Sequence, residues 1–167
     1  MTTSFRIEHD FLKVPLEKFI AYLNDPKLNE MLEKGLDVDE RKLLKRVELP
    51  DVIEWQFLIK KSGEVPAVIE KVLKGTSISW IEDSIFQKKD NCIHWRISPQ
   101  SPLLNFKGEG VYKFSAHKGG TRRVIEGTVT VNIPLIGKII ESFITAQMKK
   151  SYEIEPDIQN KFYASVK

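Results

Sequence analysis

From Arg122 to Ile133 the chain alternates with a period of two. Ile125, Val129, Val131 and Ile133 fall on one face; Val124, Glu126, Thr128, Thr130 and Asn132 fall on the other. At Pro134 the period changes. Leu135, Ile136, Ile139, Ile140, Phe143, Ile144 and Met148 recur at helical spacing as a broad apolar stripe. A strand with one apolar face and a helix with one apolar stripe both need cover, and each can supply it to the other. The end of the chain therefore reads as a long final strand followed by the longest helix.

The remainder supplies the sheet. Thr3 to Phe11 reads as a first strand with Phe5, Ile7 and His9 on one side. Pro15 to Leu23 reads as a short amphipathic helix with Pro15 in its first turn, through Leu16, Phe19, Ile20 and Leu23. Asn24-Asp25-Pro26 ends it and opens a second, through Leu28, Met31 and Leu32, with Gly35 as the expected C-cap. Arg41 to Glu48 and Val52 to Lys60 flank the turn Leu49-Pro50-Asp51. Pro66, the apolar stripe Val65, Val68, Ile69, Val72 and Leu73, and the terminator Gly75 predict a short helix over 65–74. Further strands are expected at Thr76 to Lys88, Cys92 to Ser98 and Leu104 to Ala116, with turns at Lys89-Asp90-Asn91 and His117-Lys118-Gly119-Gly120. Pro156 is expected to break or kink the last helix, with Ile158, Phe162 and Val166 beyond it. The order is α+β, with no βαβ repeat.

Composition bounds the function. The 167 residues suit one domain over 1–167 able to bury a core. A net charge of +3 is too small to argue for nucleic acid. Cys92 is the only cysteine, so no intrachain disulfide forms, which fits a reducing, cytoplasmic setting. The polar start lacks the apolar run of a signal peptide, and no apolar stretch is long enough to span a membrane. Lys42, Lys45, Arg46, Lys149 and Lys150 suggest peripheral membrane contact only as a secondary expectation, since scattered lysines are usually solvated surface. The sequence leaves the oligomeric state open.

Element order and the junction GTVTVNIPLIGKIIESFI resemble the START-like superfamily, the SRPBCC or polyketide cyclase and Bet v 1-like group. The strand end Val-Asn-Ile-Pro-Leu-Ile-Gly-Lys running into Ile-Glu-Ser-Phe-Ile resembles, more narrowly, an uncharacterised bacterial START-like family. The resemblance implies the helix-grip fold: a curved antiparallel sheet of about seven strands around a long C-terminal helix, with two short helices after the first strand. It implies a hydrophobic cavity between sheet and helix, and relatives that bind or carry lipids, sterols, quinones or polyketides. It supplies no catalytic motif that transfers to residues here.

Bulky aromatics on sheet faces are most often plain core, and some can line a pocket. The expected cavity wall comprises Trp55, Phe57, Trp80, Glu82, Trp95, Tyr112, Phe114 and Val129 from strands, with Ile136, Ile139, Ile140 and Phe143 from the long helix. Segments near Val65–Leu73 or Met31–Leu32 are candidate lids. Glu82 shares a face with Ile78, Trp80, Ser84 and Phe86; it is a polar anchor in a cavity or, the commoner case for a carboxylate, surface. Asp83 points the other way, so the two cannot act as a couple. His9, His94 and His117 lack metal-ligand spacing, and Cys92 with His94 falls short of a zinc ligand set. A Cys92–His94 nucleophile pair is unfavoured, because neighbours two apart on a strand seldom aim their reactive atoms together. No pattern calls for a cofactor or a metal. The leading expectation is binding or transport of a hydrophobic small molecule or lipid. The alternatives are a cyclase- or hydratase-type enzyme using Glu82 or His94, and a protein-interaction module.

Overall fold

The computed structural model describes residues 2–62, 65–75 and 77–167, with residue 73 in backbone only. Eleven elements follow in chain order: β1 (Thr2–Phe11), α1 (Leu16–Ala21), α2 (Pro26–Gly35), β2 (Glu40–Glu48), β3 (Val52–Ser62), α3 (Ala67–Leu73), β4 (Ser77–Gln87), β5 (Cys92–Pro99), β6 (Phe106–His117), β7 (Gly120–Val131) and α4 (Gly137–Ser165). The seven strands form one curved antiparallel sheet in the order β1-β7-β6-β5-β4-β3-β2, and α4 lies across its inner face. This is the helix-grip arrangement. The first residue expected in the fourth strand, Thr76, lies outside the described residues.

Each hairpin forms where the turn chemistry allows it. Lys118 and Gly119 both adopt positive φ, 50° and 78°, which is the two-residue turn whose twist matches the flanking strands. Asn91 takes φ 48° at the β4–β5 turn. At α2, the Asp25 side chain accepts from the Lys27 and Leu28 backbone N–H groups, and Pro26 occupies the first turn, where no N–H is needed.

The alternation sets the core. On β5, Ile93, Trp95 and Ile97 are buried while His94 and Arg96 are exposed. Trp95 has room because β6 and β7 present glycine beneath it. A Cβ on Gly127 would stand 2.5 Å from Trp95 Cζ2, and one on Gly110 2.7 Å from the same atom. The indole is sandwiched between Phe5 and Tyr112 at centroid distances of 6.2 Å each. At the other end of the sheet, Phe11, Phe19, Phe57, Phe86 and Phe162 are almost fully buried. Burying each such side chain contributes about 1.5–3 kcal/mol.

Several expectations need correction. Pro156 neither breaks nor ends the last helix; α4 runs through it. Proline lacks the N–H that would bond the Tyr152 carbonyl four residues back. The His9 ring, on β1, comes close enough to the Tyr152 backbone for that backbone to pull its pKa upward. Gly35 is not a left-handed C-cap. It closes the helix before Leu36, whose φ is −86°, and the left-handed residue is Asp37. Gly35 is instead a close-packing position, since a Cβ there would meet Ile158 Cδ1 at 2.3 Å. Pro15 is the N-cap of α1 rather than a first-turn residue. The last strand stops at Val131 and the helix starts at Gly137, so residues 132–136 form a turn. Leu135 adopts φ 66° in that turn and is fully exposed, and Ile139 is 48% exposed. The apolar stripe therefore begins later than the sequence spacing suggests. On β2 an extra residue between Leu43 and Lys45 shifts the register, leaving both Leu43 and Leu44 exposed at the sheet edge.

Candidate functional site

Where α4 and α2 cross the curved sheet, packing leaves a cavity of about 240 Å³. Apolar wall comes from Trp55 and Ile59 on β3, Ile78 and Trp80 on β4, Ile93, Trp95 and Ile97 on β5, and Phe143, Ile144 and Met148 on α4. Leu28 and Leu32 of α2 and Phe19 of α1 close one side. The lining includes exposed Asp37 and Lys150, so the cavity reaches solvent between the α2–β2 connection and the middle of α4.

A polar band crosses this apolar space. Arg123 of β7 is buried and donates to Glu155 of α4 at 3.0 Å. The same guanidinium donates to His9 Nδ1 at 3.0 Å and lies 5.4 Å from the Phe11 ring centre. Burial, and then the Arg123 charge, push the His9 pKa down to about 4, so the ring is neutral near pH 7. Tyr112 of β6 and Tyr152 of α4 share a hydrogen bond at 3.1 Å. Burial raises both phenols well above their ordinary value, and the nearby Glu155 and Glu82 carboxylates add to it. Arg41 of β2 donates to Asn29 Oδ1 at 3.3 Å and stacks 3.9 Å above the Phe57 ring centre. Glu82 of β4 lines the cavity and is half-buried. Burial pushes its carboxyl above the usual carboxylate range, against the pull of Arg41 and with help from Glu155 and Asp83. Gln159 is buried on the same wall, and its Oε1 has no partner among the described residues.

A family model described as "Protein of unknown function (DUF2505)" matches residues 7–162. The chain belongs to the DUF2505 family. No curated protein matches the sequence. Among solved structures, TTHA0849 from Thermus thermophilus is similar with a TM-score of 0.66 at 16% identity, covering 98% of each chain. Ara h 8.0201 gives 0.64 at 12% identity, covering 99% of this chain and 100% of that one. The Zhui aromatase/cyclase from Streptomyces sp. R1128 gives 0.65 at 10% identity, covering 97% and 94%. At these identities the likeness establishes the fold alone: this DUF2505 member has the START-like, helix-grip fold that these structures share.

Of the residues expected on the wall, the DUF2505 fold brings Trp55, Trp80, Glu82, Trp95, Tyr112, Phe114 and Phe143 to the cavity. The other five do not line it. Phe57 is buried beneath Arg41, and Val129 and Ile140 are packed into solid core beside Phe5 and Ile125. Ile136 precedes the first turn of α4, and Ile139 faces outward, because the helix starts three residues after Pro134. His94 lies on the outer face of β5. Its Nε2 is 3.7 Å from Cys92 Sγ, so the two reactive atoms do meet, contrary to expectation. Burial raises the Cys92 thiol and, among the described residues, no carboxylate orients the ring, so the pair lacks a thiolate and sits away from the cavity. Among the described residues, no group of three His, Cys, Asp or Glu is placed to hold a metal, and no helix is long and apolar enough to cross a membrane.

Arg123, Tyr152, Glu155 and Gln159 were not expected on the wall, yet all four line it. Arg123 had a signal: period two places it on the Ile125 and Val129 face, a charge in an apolar phase. Tyr152 and Glu155 continue the helical stripe at three- and four-residue steps before Pro156, and Gln159 joins them only because the helix runs through that proline.

Proposed function

We propose that this protein binds a compact hydrophobic small molecule in the cavity between sheet and α4, with residues 1–167 acting as one ligand-binding unit. The observation that carries the reading is a 240 Å³ space walled by Trp55, Trp80, Trp95, Ile97 and Phe143. Unfilled apolar volume loses packing contacts, so it weakens a fold unless something occupies it. The ligand gains by leaving water, and the polar band orients it. Size narrows the class. An apolar cavity of about 150 Å³ accommodates benzene, so this one suits a molecule of about ten non-hydrogen atoms rather than a whole membrane lipid. The fold shared with Ara h 8.0201 and the aromatase/cyclase agrees with the reading.

Native mass spectrometry of protein purified from its own host, with organic extraction, tests the reading. The expected result is an added mass that extraction releases as one apolar compound. A bare protein mass under gentle ionisation contradicts it.

A second reading is favoured by one observation. Glu82 sits in the cavity with its carboxyl driven toward the neutral acid, the state a general acid needs. A cyclase- or hydratase-type reaction on the bound molecule would then lose turnover in Glu82→Gln while binding persists.

A further inference from the structure

We infer that the cavity ligand carries a hydroxyl group, held between Glu82 and the Tyr112–Tyr152 pair. This rests on the ligand-binding reading above and names the chemistry that the site selects.

Most donors and acceptors around the cavity already have partners. Arg123 and Glu155 are committed to each other, and Arg41 to Asn29 and the Phe57 ring. Tyr163 donates its hydroxyl to the Phe19 carbonyl. Among the described residues, the groups on the wall with hydrogen-bonding capacity left include the Tyr112–Tyr152 pair, Glu82, Gln159 and the unpartnered Trp95 indole N–H. Tyr112 and Tyr152 hold two hydroxyl protons but share one bond, so one O–H is left to donate. Glu82 has no hydrogen-bond partner among the described residues, although it lines the cavity. Glu82, Tyr112 and Tyr152 line the same cavity, and the Glu82 charge adds to the raised pKa of both phenols. Gln159 can turn either end of its amide to a ligand and so does not discriminate.

A hydroxyl is the simplest group that answers both the phenols and Glu82. It accepts from the spare phenol O–H and donates to a Glu82 oxygen. A ketone can only accept, so it pairs with Glu82 only when that carboxyl is protonated, and an ammonium can only donate, so it leaves the phenol O–H unanswered. A carboxylate would bring a charge into an apolar space beside an acid that burial already disfavours in its ionised form. A hydrocarbon would leave the spare O–H and Glu82 unpaired, at the cost attached to buried polar groups without partners. Because that cost falls on the wrong ligand, sites of this kind discriminate more sharply by a hydroxyl than by a methylene.

The test uses the full chain and three bicyclic probes of matched size: naphthalene, 2-naphthol and 2-naphthoate. Each is measured by equilibrium dialysis at pH 7. The expected result is that 2-naphthol binds about tenfold tighter than naphthalene, and that 2-naphthoate binds weakest. In Glu82→Leu the ratio of naphthol to naphthalene affinity collapses toward unity. Tyr152→Phe removes one of the paired hydroxyls, narrows the advantage as well, and carries the same test should Glu82→Leu fail to fold. Equal binding of naphthalene and 2-naphthol overturns the inference and leaves the cavity reading intact. Tightest binding of 2-naphthoate overturns it too and makes Arg41 the recognising group. Failure of both neutral probes to bind overturns the inference together with the reading beneath it.

Discussion

Replacing Glu155 by glutamine removes a charge from the polar band without changing its shape. The Arg123 side chain is 5% exposed and that of Glu155 17%, and their ion pair closes at 3.0 Å. Arg123 then keeps only the neutral His9 ring and the face of Phe11. Stripping the partner from a buried ion pair typically costs about 3–5 kcal/mol, because the remaining charge stays buried. Glutamine still offers one acceptor oxygen, and Glu155 borders the cavity, so the expected loss is nearer about 2–3 kcal/mol. For a chain of this length that lowers the melting temperature by about 5–10 °C. The double variant Arg123→Met/Glu155→Leu removes both charges and should recover most of the loss, since paired charges replaced together are close to neutral. Urea unfolding followed by tryptophan emission measures both, with an unchanged slope showing that only stability has moved. A loss below about 0.5 kcal/mol in Glu155→Gln, or a double variant that merely adds the two single losses, would refute the reasoning.

The same band and the sheet beside it give two more expectations. His9 is held neutral down to about pH 4, whereas in the unfolded chain it titrates near 6.5. As pH falls, the unfolded state therefore takes up a proton first. Stability is flat above about pH 7, declines between 6.5 and about 4, and levels off below. The ring is only half buried, so solvent screening limits this term to about 1–2 kcal/mol. His9→Gln should flatten that segment of the stability–pH curve, and an unchanged slope would contradict the assignment. Gly127→Ala places a methyl 2.5 Å from Trp95 Cζ2 and 2.8 Å from Phe5 Cζ, both rigid rings. It should cost about 1–3 kcal/mol by denaturant unfolding, and a neutral or stabilising result would contradict the packing described for Trp95.

The architecture was legible because its signals were redundant. In β5 and β7 the period-two pattern places Trp95, Ile125 and Val129 inward, and the turn residues at 118–119 set the register, so local and tertiary preferences agree. The cavity was legible only in part. Trp80, Glu82 and Tyr112 follow from strand phase, but helix phase depends on where the helix starts. Pro134 marks the turn rather than the first helical residue, and this moved Ile136 and Ile139 away from the wall. At Pro156 local chemistry predicts a break. What overrides it is tertiary packing of α4, whose Gln159, Phe162 and Tyr163 beyond the proline are buried, and no local pattern encodes such contacts. The polar band was hidden for the same reason. Arg123, Glu155 and His9 are tolerable inside only because they meet one another, and that meeting exists only in the folded chain.

The central claim is that an apolar ligand occupies the space between the sheet and α4, and filling that space tests it most directly. Ile144 is buried on the α4 wall, and Ile144→Trp extends an indole into the cavity. Naphthalene binding by equilibrium dialysis is then compared with the parent protein, with the melting temperature of each recorded alongside. The account predicts that the variant melts within a few degrees of the parent and binds naphthalene at least about tenfold more weakly. Undiminished affinity in a folded variant would contradict it, because the probe would then be bound elsewhere.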